Sequence, residues 1–522
     1  MLEKNSHIIK VLSLILIVIM LLPFLNSCKK QDAHCVIIYT NDIHCAIDDY
    51  GILSSYIKSV KLENKNVLTL DGGDYLQGNF YGKVDDGKSI TNILNTVGYD
   101  YVVPGNHDYD YGIDTFIKNA SNSNFEFLSC NFPGTEKEKK EFKHELYAIK
   151  EFDGHKLGII GIESIDDRDS SDTLKKVQST IDELQKKGTD IIIAVGHTGT
   201  KPTKEIIENT NNINIYLNAH DHVLSDDKDK KLSYKNKDGN NVPVFETGTS
   251  MQYILTLDLD IKDSKFSYAA SMDSPSNINE KINKSTNDEV INTKTKTDDK
   301  IKACKKLVEK ENRKVGVSKC VLCVYDPVKF PDCNELMEYN SSNMIADAFR
   351  DISKADIAIV NTTSVRNGIQ KGDVYLNDIM NLYPWFEKVY VVKLSGQQIY
   401  DILYKGTDKF PEYNPCQPAV SGLTFTLDTS VDKDSGDKSK RLYNIKINNK
   451  SIDLEKTYTV ASSKYFLFDG NKEIINLNPE ECTIVGQDYE IIEKYIRDTL
   501  NGVIPSSLYE NYDGDGRITV VN

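Results

Sequence analysis

Apolar residues in this chain gather into short runs separated by stretches of helical spacing. The runs at 36–40, 67–70, 101–103, 157–162, 191–195 and 213–217 have the length and composition of buried strands. Between them, 90–97 and 177–187 repeat apolar positions every three to four residues, as amphipathic helices do. Strands alternating with helices predict buried sheets covered by helices, an α/β architecture, over residues 33–268. Residues 264–300 turn polar, and charged helical spacing then runs from about Asp298 to Lys314. This predicts a linker and a connecting helix over 269–317. A second globular region follows over 318–522, in which 320–325 reads as a strand and 432–440 as a solvated hairpin tip. No internal repeat is present.

The length of 522 residues predicts two to four domains at roughly 100–200 residues each. Apolar residues make up 39% and charged residues 27%, enough to build cores and too much for a disordered chain. A net charge of −15 argues against duplex nucleic acid as the main partner, since phosphate backbones demand a basic surface. The mean hydropathy of −0.43 excludes a multi-pass membrane protein.

The N-terminus departs from this average. Lys4 and Lys10 precede an apolar stretch, 11–25, broken only by Ser13 and Pro23. It is short of the ~20 residues of a membrane span and reads as a signal-peptide core. Leu25-Asn26-Ser27-Cys28 then resembles the bacterial lipoprotein signal, which implies cleavage after residue 27, lipidation of Cys28 and a lipid anchor. The alternatives are an ordinary cleaved signal or an uncleaved anchor. The resemblance places the protein outside the cytoplasm, on the outer face of a bacterial cell membrane or on its periplasmic side. Removing Cys28 from ten cysteines leaves nine, so at least one thiol lacks an internal partner. Cys320-Val-Leu-Cys323 with Cys333 lacks the second pair of a zinc finger, which favours a disulfide or buried thiols.

Chemistry-bearing residues follow the apolar runs almost at once. The first run ends in Asn41-Asp42-Ile43-His44, the second in Asp71-Gly72-Gly73-Asp74, and the third leads to Gly105-Asn106-His107-Asp108-Tyr109-Asp110. The fifth gives Gly196-His197 and the sixth Asn218-Ala219-His220-Asp221-His222. Ligands of open α/β sheets bind beyond the carboxyl ends of the strands, so the five segments can converge. Five of the nine histidines lie in them. Any one of these strings recurs by chance, and Asp and Asn are ordinary turn formers at strand ends. Five in order, each after a strand, point to a site for divalent transition metals, which imidazole and carboxylate suit together.

This ordered set resembles that of the calcineurin-like metallophosphoesterases, with Ala219 in place of their usual glycine. The longer strings 40–44, 71–78 (DGGDYLQG) and 105–112 (GNHDYDYG) are similar to those of bacterial and animal 5′-nucleotidases. The resemblance implies a four-layer domain of two packed sheets flanked by helices, followed by a mixed α/β 5′-nucleotidase C-terminal domain. It also implies two divalent ions of the zinc, manganese, cobalt or iron class. Asp42, His44 and His222 would hold one ion, Asn106, His197 and His220 the other, and Asp74 would bridge them. A metal-bridging hydroxide would attack phosphorus, with His107 as general acid or charge stabiliser at the leaving group and Asp110 orienting its ring.

In the second region, 343–350, 355–366 and 420–422 match the nucleotidase C-terminal domain. The resemblance carries substrate binding onto Arg366, Asn361, Tyr465 and Asn471. The family's Asn-Gly-Gly-x-Ile-Arg is here Asn361-Thr362-Thr363-Ser364-Val365-Arg366, and the loss of both glycines restricts the loop. Gln417 stands where one base-stacking ring is expected, Asn471 replaces an acid, and Pro384-Trp385-Phe386-Glu387 replaces Pro-Phe-Gly-Asn. A base–aromatic stack contributes about 1–3 kcal/mol, so Trp385 or Tyr413 would have to compensate for the missing ring. The expected activity is removal of phosphate from nucleoside 5′-monophosphates, with cyclic nucleotides or nucleotide sugars as further substrates. The alternatives are the same metal site acting on a non-nucleotide ester, and an inactive surface binding protein.

Overall fold

A computed structural model describes residues 32–164, 170–225, 232–262, 265–282, 286–324, 337–412, 414–432 and 438–521. The signal segment 1–28 with Cys28, and also Tyr413 and Cys333, lie outside the described residues.

The apolar runs form two six-stranded sheets. In the first sheet the order is β12 (Lys265–Asp273), β11 (Ile254–Lys262), β1 (Ala33–Thr40), β2 (Val67–Asp71), β3 (Tyr101–Val102) and β4 (Glu126–Phe127). In the second it is β5 (Tyr147–Phe152), β6 (His155–Ile162), β7 (Ile191–Gly196), β8 (Ile215–Asn218), β10 (Asn241–Phe245) and β9 (Ser233–Lys235). β1 to β4 run parallel, as do β6, β7, β8 and β10, with antiparallel strands at the edges.

Burial on both sides explains why these strands read as continuous apolar runs rather than as alternation. Cys35, Ile37, Tyr39, Leu68 and Leu70 pack against Leu157, Ile159, Ile193, Val195 and Leu217 of the other sheet. The opposite face of the first sheet, through Val36 and Ile38, meets Leu53 and Ile57 of the helix Tyr50–Glu63 and Ile90, Ile93 and Leu94 of the helix Lys88–Val97. The second sheet meets Val177, Ile181 and Leu184 of the helix Ser170–Lys186. The result is the four layers that the resemblance implied.

The polar stretch read as a linker is structured. β12 pairs antiparallel along the whole of β11, and the helix Asp288–Glu311 lies against the first domain through Lys58–Glu289 and Lys305–Asp48 ion pairs. An edge strand exposed on most of its positions carries no apolar run, so its sequence looks like loop. The strand expected at 320–325 lies earlier, at Lys314–Ser318, and Leu322 makes a single bridge to Ile369.

The second region centres on a five-stranded sheet in which the strand Ile357–Asn361 is flanked by Pro418–Ser421 and Thr457–Ser463. Ala358 and Val360 face Met344 and Phe349 of the helix Asn340–Ser353, while Ile357 and Ile359 face Ile399 and Leu403 of the helix Gly396–Thr407. Cys323 is disulfide-bonded, whereas Cys35, Cys45, Cys130, Cys304, Cys320, Cys416 and Cys482 are free thiols.

Candidate active site

Face-to-face packing brings the carboxyl ends of β1, β2, β7 and β8 to one edge of the sandwich. The Tyr39 hydroxyl crosses between the sheets and donates to the Asn218 carbonyl at 2.6 Å. Asn41 Oδ1 accepts from the Thr247 amide and hydroxyl at 2.9 and 2.7 Å. The loop after β1 is laced to the loop after β2, with the Asp42 amide on Gly73 O and the His44 amide on Asp74 O, both at 2.9 Å. Gly73 and Gly105 allow these loops to touch. A Cβ on Gly73, whose φ is +95°, would lie 2.4 Å from the Gly105 nitrogen, and one on Gly105 would lie 2.1 Å from Asp74 Oδ1.

Five of the seven expected ligands adopt left-handed backbone conformations: Asp42, His44, Asp74, His220 and His222, with φ between 48° and 98°. Such conformations cost roughly 1–3 kcal/mol apiece and persist where surrounding structure over-determines them, most often at functional sites. Here Asp108 supplies much of that structure. Its buried carboxylate accepts from the amides of Asp74, Tyr75, Leu76 and Gly105 at 2.8–3.0 Å. Sequence reading gave Asp108 no role, although it sits inside the Gly-Asn-His-Asp string.

The ligands converge. Donor atoms of Asp42, His44 and His222 lie within 4.8 Å of one another, as do those of Asp42, Asp74 and His197. Asp74 Oδ2 is 3.1 Å from His197 Nε2 and 3.8 Å from His44 Nε2, and so lies between the two sides. Asp42 Oδ1 is 3.5 Å from His222 Nε2 and 3.9 Å from the Nε2 atoms of His44 and His197. Asn106 Oδ1 is 3.2 Å from His197 Nε2 and 3.0 Å from His220 Nδ1.

These residues fit divalent ions on three counts. Asp42 Oδ1 is buried with no hydrogen-bond partner. His44 Nδ1 faces the Gln77 carbonyl at 2.9 Å and His197 Nδ1 the Gly72 carbonyl at 2.7 Å, which assigns the proton to Nδ1 and turns both Nε2 lone pairs inward. Imidazole, carboxylate and amide oxygen together suit transition metals.

Electrostatics point the same way. Burial raises the Asp74 carboxyl, but His197 and His107 outweigh it and hold the group well below the usual carboxylate range. Burial alone would lower His197, yet Asp74 and Asp42 lift it to about 10. Without a metal, the charge of two buried carboxylates is thus balanced by protonated imidazole, a proton that metal binding must displace. Burial keeps His44 below its ordinary value, in the neutral form a ligand needs.

His107 stands beside this cluster, its ring 5.7 Å from that of His44. His107 Nδ1 and Asp110 Oδ2 are 2.8 Å apart, as expected of an oriented pair. Burial would lower His107, but Asp110 first and Asp74 next lift it to about 10.

The substrate residues carried over by resemblance do not all lie open. Asn361 is buried, and its Nδ2 donates to Ser364 Oγ at 2.5 Å. Asn471 is fully buried, with Nδ2 on the Phe466 carbonyl at 2.9 Å. Arg366 and Tyr465 are exposed. The loop that lost its glycines is a 3-10 turn over Thr362–Ser364, and none of residues 361–366 has a positive φ. Threonine therefore fits, and Thr363 Oγ1 ties the turn to the Pro415 carbonyl at 2.9 Å. Trp385 lies against His107 and Arg366.

Comparison with known proteins agrees with this geometry. The calcineurin-like phosphoesterase model matches residues 36–224, and the 5′-nucleotidase, C-terminal domain model matches residues 321–478. The trifunctional nucleotide phosphoesterase protein YfkN of Bacillus subtilis is 25% identical over 531 residues, covering 90% of this chain and 34% of that protein, so the chain spans about a third of its length. The 5′-nucleotidase of Vibrio parahaemolyticus is 24% identical over 539 residues, covering 91% of this chain and 93% of its own. The crystal structure of the 5′-nucleotidase precursor from Thermus thermophilus superposes with a TM-score of 0.70 at 19% identity, covering 94% and 99% of the two chains. With both domain models matched, the chain belongs to the calcineurin-like phosphoesterases of the 5′-nucleotidase family, hydrolases of phosphoric esters that use divalent metal ions, and its described residues bring candidate metal ligands together.

Proposed function

We propose that this protein is a two-metal phosphohydrolase acting outside the cytoplasm on nucleoside 5′-monophosphates. The observation that carries the reading is the pair of overlapping donor groups sharing Asp42, with the His107–Asp110 pair beside them. Asp42, His44 and His222 would hold one ion and Asn106, His197 and His220 the other, with Asp74 between. When bound, the ions supply Lewis-acid polarisation of the phosphoryl group and neutralise its charge.

The chain's own residues do the rest. Asp110 accepts the Nδ1 proton of His107, fixes its ring and keeps it cationic, so that Nε2–H donates to the leaving ester oxygen. Arg366 offers the planar, bidentate donors that suit a phosphate. Tyr465 offers one exposed ring for a base. The export reading rests on the apolar segment and Cys28, and the disulfide at Cys323 supports an oxidising compartment. Lipid anchoring at Cys28 would then hold the protein at a membrane face.

A second reading keeps the mechanism and changes the substrate to a non-nucleotide ester. Gln417 in place of a ring and the full burial of Asn471 favour it. Phosphate release from AMP against a generic aryl phosphate separates the two. Faster turnover of AMP supports the first, and turnover of the aryl phosphate alone moves the assignment to the second.

A further inference from the structure

The segment Pro384-Trp385-Phe386-Glu387 belongs to the second domain yet reaches the catalytic loops of the first. Gln77 Nε2 donates to the Pro384 carbonyl, the Trp385 ring lies 5.6 Å from that of His107, and Phe386 lies 6.3 Å from Tyr111. Gln77 and Tyr111 sit in the loops that carry Asp74 and His107, and the metal chemistry uses neither side chain. The segment is also tied to its own domain. The Trp385 indole N–H donates to the Ser364 carbonyl at 2.7 Å, the Tyr465 amide to the Glu387 carboxylate at 3.1 Å, and the Glu387 amide to Asp488 at 3.0 Å. These ties hold Phe386 at φ +57°, a conformation that disfavours an aromatic residue and marks a constrained site.

Trp385 also touches Arg366, whose Cζ lies 5.1 Å from the ring centroid. A guanidinium held beside an aromatic ring is fixed in place, and its planar fork can give two N–H donors to a phosphate. The geometry points to Trp385 as a positioning residue that holds the Arg366 guanidinium beside His107. The second domain's phosphate donor then reaches the metal side of the first while the segment 384–387 is docked on Gln77 and Tyr111. This inference rests on the reading of Arg366 as the phosphate contact. The one tryptophan of the chain is partly buried here and packs against the core of the second domain.

Because Trp385 is the only tryptophan, the emission of the full-length protein reports this position without a label. Emission is compared for the wild type, His107→Ala and Arg366→Ala, each with and without inorganic phosphate. Both substitutions are expected to change the intensity, and phosphate to change it in the wild type but not in Arg366→Ala. In kinetics, Trp385→Ala is expected to lower kcat/KM on the order of tenfold, the size of a partly desolvated cation–π contact, with the loss chiefly in KM. In the Arg366→Ala background the same change should add nothing, because the two residues act as one unit. Trp385→Phe keeps a ring and serves where Trp385→Ala fails to fold, with an intermediate loss.

An emission unmoved by both substitutions overturns the contact, and losses that simply multiply in the double variant overturn the coupling. A wild type that hydrolyses no ester while its emission still reports His107 and Arg366 would instead refute the hydrolase reading and leave the contact standing.

Discussion

Replacing Asp110 with asparagine separates the charge on His107 from its orientation. The amide of Asp110→Asn would keep an oxygen to accept the Nδ1 proton, now bonded at 2.8 Å, and remove only the carboxylate charge. That charge is the largest influence lifting His107 to about 10 against the opposing effect of burial. An adjacent opposite charge moves a pKa by about 1–3 units, and both side chains are about three-quarters buried, so a fall of roughly two units is expected. Midway between the two alkaline pKa values the protonated fraction of His107 would then be about 0.9 in the wild type and about 0.1 in the variant, a loss of roughly tenfold in kcat/KM that closes at pH values well below both. Bound metal neutralises Asp74 and moves both alkaline limbs to lower pH, leaving the separation due to Asp110. The sign follows from the role: a group that must carry its proton loses activity as pH rises through its pKa, so a lower pKa brings the loss at lower pH. The assay is initial phosphate release from AMP and from an aryl phosphate between pH 5.5 and 10, with metal content measured alongside. General acid catalysis predicts the larger loss on AMP, whose leaving alkoxide is the stronger base. Coincident alkaline limbs at equal metal content would refute the reasoning.

Further outcomes follow from the same site. Asp42→Asn removes one of the two buried carboxylates that hold His197 protonated, so it should abolish the metal-induced rise in Tm and also lower the Tm of the metal-free protein. Scanning calorimetry of both proteins with and without manganese checks this. Chelation of the wild type should lower Tm reversibly, and restoring metal to about 100 times its Kd should return about 2.7 kcal/mol of stability for each ion bound. Burial pushes Glu387 up to about 7, so the folded protein binds an extra proton there between pH 4.5 and about 7, and this group's contribution to stability falls as pH rises through that window. Glu387→Gln, which keeps an acceptor for the Tyr465 amide, should flatten that fall and raise denaturation midpoints at pH 8.

Much of the first domain is legible in its sequence because its strands are buried on both faces. Each apolar run therefore stops where the chain leaves the core, and the next residues face the site. The segments that carry Asp42, Asp74, His197 and His220 could be placed in this way, while the choice of these residues within them came from the family resemblance. The edge strand Lys265–Asp273 could not, since exposure removes the apolar signal and only its pairing with β11 defines it. The left-handed conformations of the ligand residues could not be read from the sequence, because Asp and His, although enriched among non-glycine residues at positive φ, adopt ordinary conformations far more often. The concern over Thr362 and Thr363 disappears in the fold, where the turn keeps negative φ throughout. The position of Trp385 was not legible, because contacts between residues of two domains depend on how the domains meet.

The most direct test of the central claim titrates the metal-free chain lacking residues 1–28 with manganese or zinc and follows bound ions and AMP hydrolysis in the same samples. The account predicts that activity reaches its plateau at two ions per chain, and that His107→Ala binds both ions yet releases little phosphate. Full AMP turnover with a single ion, with excess chelator, or in His107→Ala would contradict it.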